Sequence, residues 1–193
     1  MPKITGLILA GGRGSRMGSV DKGLQLFKSM PMVAHVLARF QPQTDEILIN
    51  ANRSISAYEA FGYRVIPDAI DGYAGPLAGL HVGMTHATHP LVATAPCDSP
   101  FLPLDLIARL TLAMQKSGAD LAVAKTFDQP HPVFCVVKTN LAPHLQTFLE
   151  SGQRKIDKWY ASLKVVEVQF DDEAAAFSNV NTLDELKSFE QTK

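Results

Sequence analysis

The sequence has few cysteines, no surplus charge and no long apolar run, and each absence excludes a class of protein. Cys97 and Cys135 are its two cysteines, too few for a disulfide framework or a zinc cluster, which favours a reducing compartment. Eighteen Lys and Arg against nineteen Asp and Glu leave a net charge of -1, so no overall field attracts nucleic acid or an anionic membrane. No apolar run approaches the roughly 20 residues that span a bilayer. The first apolar stretch stops at Gly11, too early for a cleavable signal. We therefore expect a cytoplasmic protein that binds neither nucleic acid nor membrane.

Length and composition fit one globular domain. The chain has 193 residues, of which 46% are hydrophobic and 19% are charged, as in an ordinary folded protein. No linker or repeat interrupts the sequence. We expect residues 1–193 to form a single domain.

Strand-like and helix-like segments alternate along the chain. The predicted strands are 4–10, 47–49, 63–66, 91–95, 120–125, 133–137 and 165–169. Four predicted helices have defined bounds: 31–41, 55–61, 76–87 and 141–149. Another helix is predicted to begin at Pro103, with Leu104, Ile107, Ala108 and Leu110 facing the core. A last helix begins with a capping box of Thr182 and Glu185. This alternation predicts an α/β fold of three layers, with a doubly wound, mostly parallel sheet between helices. Because such sheets bind ligands at the carboxyl ends of their strands, the loops after residues 10, 49, 66 and 95 are the candidates for a site.

The loop after the first predicted strand has the composition of a phosphate-binding loop. Residues 11–23 are rich in glycine and include the cations Arg13, Arg16 and Lys22. Glycines let backbone amides approach an anion, and the cations can contact phosphate oxygens. A Walker A loop is excluded because Gly23, not Ser or Thr, follows Lys22. A dinucleotide-binding fingerprint is excluded because its helix and its acidic residue are missing. A flexible surface loop with solvated cations is the alternative.

A series of short motifs follows one order along nearly the whole chain. The motifs are Leu9-Ala10-Gly11-Gly12, Arg16-Met17-Gly18, Asp21-Lys22-Gly23-Leu24, Asn50-Ala51-Asn52-Arg53, Pro67-Asp68, Gly75-Pro76-Leu77-Ala78-Gly79, Pro96-Cys97-Asp98-Ser99-Pro100, His131-Pro132 and Asn179-Val180-Asn181-Thr182. The first motif is shared with sugar-phosphate nucleotidyltransferases, but the ordered set resembles the molybdenum cofactor guanylyltransferase family. This resemblance implies a Rossmann-like fold of the nucleotide-diphospho-sugar transferase type. It also implies transfer of GMP from GTP to molybdenum-loaded molybdopterin, with release of pyrophosphate.

Such a reaction brings two anions together, so charge neutralisation is the main task of the site. A terminal phosphate is largely ionised at neutral pH, so neither a nucleophilic serine nor a histidine base is required. The resemblance implies that Lys22 contacts the triphosphate, with Arg16 as a partner, and that Asp98 binds Mg²⁺ together with waters and phosphates. The alternative for Asp98 is a turn residue or a helix cap ahead of Pro103.

Selection of guanine requires an acceptor for its N–H groups and a donor for its carbonyl oxygen. Asn50 and Asp68 are the candidates because each follows or ends a predicted strand, although both residue types also serve as ordinary turn residues. The resemblance adds the backbone of the first motif to the nucleotide site: Leu9, Ala10, Gly11 and Gly12. The glycine pair leaves room for a purine, where the related cytidylyltransferases tend to have alanine at its first position.

For the pterin substrate the resemblance implies a further set of residues: Gly75, Gly79, Arg154, Asn179 and Asn181. Arg154 could bind the pterin phosphate, and the two asparagines could bond the pterin edge. Solvent-exposed cations and a residue ahead of a capped helix are the alternatives. The family likeness also implies cofactor-delivery proteins and molybdoenzyme chaperones as partners.

Two other functions fit the same motifs. One is a cytidylyl or sugar-phosphate nucleotidyltransferase with this fold, and the other is a nucleotide-binding module without turnover, because a fold alone does not guarantee activity.

Overall fold

The computed structural model describes residues 2–11, 21–69 and 75–177. Its strands are β1 (Ile4–Leu9), β2 (Leu26–Phe27), β3 (Met30–Pro31), β4 (Glu46–Asn50), β5 (Arg64–Ile66), β6 (Leu91–Pro96), β7 (Leu121–Thr126), β8 (Gln129–Lys138) and β9 (Val165–Gln169). Its α-helices are α1 (Met32–Phe40), α2 (Ile55–Glu59), α3 (Pro76–His86), α4 (Leu106–Ser117), α5 (Ala142–Glu150) and α6 (Ile156–Tyr160). The helix predicted to begin at Thr182 lies outside the described residues.

A seven-stranded sheet forms the centre of the molecule, in the order β5-β4-β1-β6-β8-β7-β9. β1 pairs with β4 and β6 in parallel, β4 with β5, and β7 with β9. β8 pairs antiparallel with both β6 and β7, so it is the strand that runs against the others. The predicted α/β fold with a mostly parallel sheet is confirmed.

Helices cover both faces of the sheet, because successive strand residues point to opposite sides. In β1, Ile4 and Ile8 pack with α1 and α4 on one face, whereas Leu7 packs with α3 and α5 on the other. α2 packs on the same face as α1 and α4, and α6 packs on the same face as α3 and α5. This is the doubly wound, three-layer arrangement that the sequence predicts.

The prediction for the start of the fourth helix is wrong by three residues. α4 begins at Leu106, with Asp105 at the N-cap position, and not at Pro103. Leu104 therefore precedes the helix and is 64% exposed, and Ala108 is also exposed, while Ile107 and Leu110 are buried as expected. The side chain of Gln43 accepts the amide of Ile107 at 3.1 Å and so caps this helix from a distant part of the chain.

The β2–β3 hairpin and α6 were not predicted. The hairpin turns through Lys28 and Ser29, which have φ angles of 47° and 67°. Glycine or asparagine normally occupies such positions, so the usual sequence signal of a hairpin is missing. α6 has five residues, too few for a helical hydrophobic period. Among the described residues, no helix has both the length and the apolar composition of a membrane span.

His81 of α3 makes the stability of the fold depend on pH. Its side chain is buried, Nδ1 lacks a hydrogen-bond partner within the described part of the chain, and burial lowers the pKa of the imidazole against an opposing effect of Glu150. The unfolded chain therefore takes up more protons than the folded one as the pH falls below about 6.5, and stability is lost in that range. We expect the melting temperature of His81→Gln to fall less than that of the unmodified protein between about pH 8 and about pH 5.5.

The exposed His86 of the same helix provides the control. The His86→Gln variant controls for the replacement of a histidine of this helix by glutamine. His131, whose pKa is also lowered by burial, is unchanged in all three proteins and contributes equally to each. Equal slopes for the unmodified protein and His81→Gln would contradict this account.

Candidate active site

Four parallel strands end together at one edge of the sheet and bring the predicted site residues close to one another. Leu9, at the end of β1, lies in register with Asn50 of β4 and with Pro96 of β6. Beyond the strands, the Ala10 amide donates to the Asn50 carbonyl at 2.8 Å, and the Cys97 amide donates to the Leu9 carbonyl at 3.2 Å. The loops after β1, β4, β5 and β6 therefore leave the sheet from one edge, where the alternation of strands and helices places a ligand.

Asp68 is held at this edge by two asparagine side chains. Asn50 donates to Asp68 Oδ1 and Asn52 donates to Asp68 Oδ2, each at 2.8 Å. The Asp68 amide in turn donates to Asn52 Oδ1 at 2.8 Å, and Asn50 also donates to the Ile66 carbonyl at 3.1 Å. A carboxylate oxygen can accept more than one hydrogen bond, so Asp68 keeps acceptor capacity in a fixed orientation. Both side-chain N–H groups of Asn50 are used within the protein, so it is Asp68 that offers an oriented acceptor to a ligand.

Two glycines allow the backbone to pack directly on Asn50. A Cβ on Gly11 would lie 3.0 Å from both Asn50 Oδ1 and Asn52 Nδ2. A Cβ on Gly79, in the second turn of α3, would overlap Asn50 Oδ1 and lie 2.8 Å from Leu9 Cδ2. The contacts at Gly79 are shorter than real Cβ atoms make, so a side chain there would displace Asn50, whereas at Gly11 the two asparagine side chains would have to shift slightly. Gly79, predicted as part of the pterin site, thus lies against the nucleotide candidates.

Lys22 and Asp98 form an ion pair, with Lys22 Nζ 3.4 Å from Asp98 Oδ2. The two side chains are 24% and 12% exposed, so the pair is largely covered but reachable from solvent. Asp98 is not the cap of α4, because Asp105 occupies the N-cap position and the side chain of Gln43 accepts the Ile107 amide. The structure thus brings together the cation and the carboxylate that the sequence singles out, from positions 76 residues apart.

The donor set at Asp98 fits a magnesium ion that arrives with a nucleotide. Within the described residues, no group of three or more His, Cys, Asp or Glu side chains could hold a metal by protein ligands alone. Mg²⁺ often binds through one or two carboxylates, with waters and substrate phosphates completing its coordination. A single carboxylate beside a lysine is suited to that kind of site, and Asp98 is the residue that would hold the ion.

The residues predicted for the pterin are less closely grouped. Gly75 lies at the N-cap position of α3 with a φ of 69°, a conformation that favours glycine, and Gly79 lies in the site as described. The Arg154 guanidinium donates to the carbonyls of Leu149 and Gln153, so it closes the end of α5. Four predicted residues lie outside the described residues: Gly12, Arg16, Asn179 and Asn181.

Asn52 is the site residue that sequence reasoning missed. It occurs in one of the quoted motifs, but its partner Asp68 follows 16 residues later, after a helix and a strand. Only the parallel pairing of β4 with β5 shows that the two loops meet. The motif Asn50-Ala51-Asn52 was the available signal, and its spacing alone does not identify which asparagine orients a carboxylate.

The fold and the paired charges at the carboxyl edge define an enzyme of the nucleotidyltransferase class. A family model described as "MobA-like NTP transferase domain" matches residues 6–166. The chain belongs to this family, and within it to the molybdenum cofactor guanylyltransferases.

Individual relatives extend over nearly the whole chain. A molybdenum cofactor guanylyltransferase of Bordetella petrii is 54% identical, over 95% of this chain and 95% of its own. One of Ralstonia nicotianae is 52% identical, over 98% and 97%. Among solved structures, molybdopterin-guanine dinucleotide biosynthesis protein A of Archaeoglobus fulgidus superposes with a TM-score of 0.80 at 26% identity and covers 97% of both chains. The Rossmann-like fold of the nucleotide-diphospho-sugar transferase type is confirmed.

Proposed function

We propose that this enzyme transfers GMP from GTP to the phosphate of molybdenum-loaded molybdopterin and releases pyrophosphate. The observation that carries the proposal is the juxtaposition of Lys22 and Asp98, at 3.4 Å, on the same sheet edge as the oriented Asp68. The names of the relatives support the choice of substrates.

The reaction is a displacement at the α-phosphorus of GTP. An oxygen of the pterin phosphate attacks this phosphorus, and the bond to the oxygen that bridges the α- and β-phosphates breaks, so that pyrophosphate leaves with the electron pair. Negative charge grows on the leaving group, and the Lys22 ammonium can stabilise it. Mg²⁺ bound to Asp98 would neutralise charge on the same triphosphate. No residue has to remove a proton, because the attacking phosphate is already ionised.

The position of Lys22 beside Asp98 is what allows the two to act on one triphosphate. The Lys22 ammonium and the Asp98 carboxylate lie 3.4 Å apart, so both are within reach of one bound triphosphate. α3 begins at Pro76, with Gly75 at its N-cap position, and the positive end of its helix dipole favours an anion.

Asp68 supports the choice of guanine. Guanine presents two adjacent N–H donors, and a carboxylate fixed through both oxygens can accept from them in a defined orientation. Asn50 and Asn52 supply that orientation. Gly11 packs closely against both asparagine side chains, so the first loop lies directly beside this acceptor.

The experiment that tests this function is a nucleotide panel. The protein is incubated with magnesium, one of GTP, CTP, ATP or UTP, and either molybdopterin or a sugar phosphate as acceptor, and pyrophosphate release and nucleotide binding are followed. We expect release with GTP. Release with CTP in place of GTP would contradict guanine selection, release only with a sugar phosphate as acceptor would contradict the pterin substrate, and GTP binding without release in any mixture would favour the binding module.

Magnesium dependence, a cytoplasmic location and transfer of the product to delivery proteins or molybdoenzyme chaperones stay predictions of the family likeness.

A further inference from the structure

We infer that Tyr58 is a positioning residue for this reaction: its hydroxyl fixes the segment that carries Lys22 and so sets where the lysine meets the triphosphate. The inference rests on the proposed function, because it assigns the lysine to the phosphates. Tyr58 lies in α2, which belongs to none of the loops that sequence reasoning selected.

The hydroxyl of Tyr58 bonds the residue immediately before Lys22. Tyr58 is fully buried, and its Oη donates to Asp21 Oδ1 across 37 residues of sequence. A buried hydroxyl needs a partner, and an acceptor that is charged makes the stronger bond. Burial is the main cause that raises the pKa of Tyr58, so the phenol keeps its proton and remains a donor over the whole working range.

The residue immediately after Lys22 is held against the same hydroxyl. A Cβ on Gly23 would lie 2.5 Å from Tyr58 Oη and 3.0 Å from Cys97 Sγ, so the glycine backbone packs directly on both. The turn between these contacts is closed by the Leu24 amide, which donates to the Asp21 carbonyl at 3.2 Å. Both neighbours of Lys22 are therefore fixed by one phenol.

Tyr58 also reaches the other half of the ion pair. Cys97, which packs on Gly23 beside the Tyr58 hydroxyl, directly precedes Asp98, and its own amide is bonded to Leu9. The buried Tyr58 side chain thus lies between Asp21 and Cys97, the residues that precede Lys22 and Asp98. It can therefore set the distance between the lysine and the carboxylate.

The expected consequence is a loss of rate with little loss of fold. Displacing a catalytic group by about 1 Å can cost about 100-fold in rate. The Tyr58→Phe variant keeps the ring in the core but removes the bond to Asp21. We expect kcat with GTP to fall about 10-fold to 100-fold, with a smaller change in KM, because the contact of Lys22 matters most where charge develops.

Tyr160→Phe is the matched control. The Tyr160 hydroxyl also donates a hydrogen bond, to the Pro132 carbonyl at 2.7 Å. Tyr160, however, packs on the face of the sheet opposite to Tyr58. Both variants lose one hydroxyl hydrogen bond, so both melting temperatures should fall, and that of Tyr58→Phe should fall further because its acceptor is a carboxylate. Only Tyr58→Phe should lose activity. A merely structural Tyr58 would give two variants with equal activity.

The decisive measurement introduces Tyr58→Phe into a Lys22→Ala background. If the phenol acts through the lysine, the second substitution causes no further loss of kcat and no further loss of affinity for magnesium-GTP in a calorimetric titration. Losses that multiply would overturn the inference. Asp21→Asn, which keeps an acceptor oxygen for the phenol, should retain more activity than Asp21→Ala. The titration also separates the two proposals: a protein without guanylyl transfer contradicts the proposed function, while coupling between positions 58 and 22 in GTP binding still decides the role of Tyr58.

Discussion

Asp98→Asn should lower turnover with GTP by about 1,000-fold or more, because a neutral amide is a poor ligand for Mg²⁺ and the charge of the triphosphate would be left uncompensated. The substitution keeps the shape of the side chain, so the fold should persist. We expect the melting temperature to change by no more than about 3 °C, since the ion pair with Lys22 is partly open to solvent and pairs of that kind stabilise little. Steady-state rates over a range of magnesium concentrations, together with a thermal melt, measure both effects.

A second ion pair in the same molecule provides the control for this variant. Asp120 lies 2.9 Å from Lys138, at the opposite edge of the sheet, where β7 begins and β8 ends. Asp120→Asn breaks a pair of the same kind and should leave turnover and magnesium dependence unchanged. A purely structural Asp98 predicts the reverse pattern, with a large loss of stability and a residual rate that still responds to magnesium.

Lys22→Ala should lower kcat/KM for GTP by about 100-fold, the scale of a lost charge-stabilising contact in a partly water-excluded site. Lys22→Arg should recover only part of the loss. Arginine keeps the charge, but its planar guanidinium differs in shape from the compact ammonium that lies beside Asp98. Initial rates over a range of GTP concentrations separate kcat from KM, and most of the loss should be in kcat.

Lys138→Ala is the matched control for the lysine, since it removes the cation of the surface pair with Asp120. It should retain full activity. If Lys22→Ala raised only KM and left kcat intact, the lysine would bind the ground state without helping the leaving group, and the assigned role would be wrong.

The order of the elements was predictable because the periodicity of apolar residues is a local property. β9 occurs with the bounds that its alternating residues predict, 165–169. α4 was displaced because its first turn is fixed by Gln43, more than 60 residues away, and not by the nearby Pro103. The β2–β3 hairpin was not predicted because Lys28 and Ser29 adopt positive φ angles in a turn that has no glycine to signal it.

For the site, the sequence predicted which residue types gather at the edge but not which atoms bond. The sequence assigned Lys22 and Asp98 to one site because both residue types suit a triphosphate, and the structure places the two side chains next to each other. Asn52 and Tyr58 were not assigned, because their partners come from other loops and no spacing in the sequence connects them. An asparagine or a tyrosine that holds a carboxylate has the same local pattern as one that packs in a turn or a core.

The antiparallel strand β8 separates the parallel strands β5, β4, β1 and β6 from the parallel pair β7 and β9. All the described residues assigned to the nucleotide precede β8 in the chain and lie on or beside the uniformly parallel strands β5, β4, β1 and β6. Among the described residues predicted for the pterin, Gly75 and Gly79 also precede β8, and Arg154 follows it. We therefore expect substitutions on β7 or β9, beyond the antiparallel strand, to leave the hydrogen bonds of Asp68 and the ion pair of Asp98 intact.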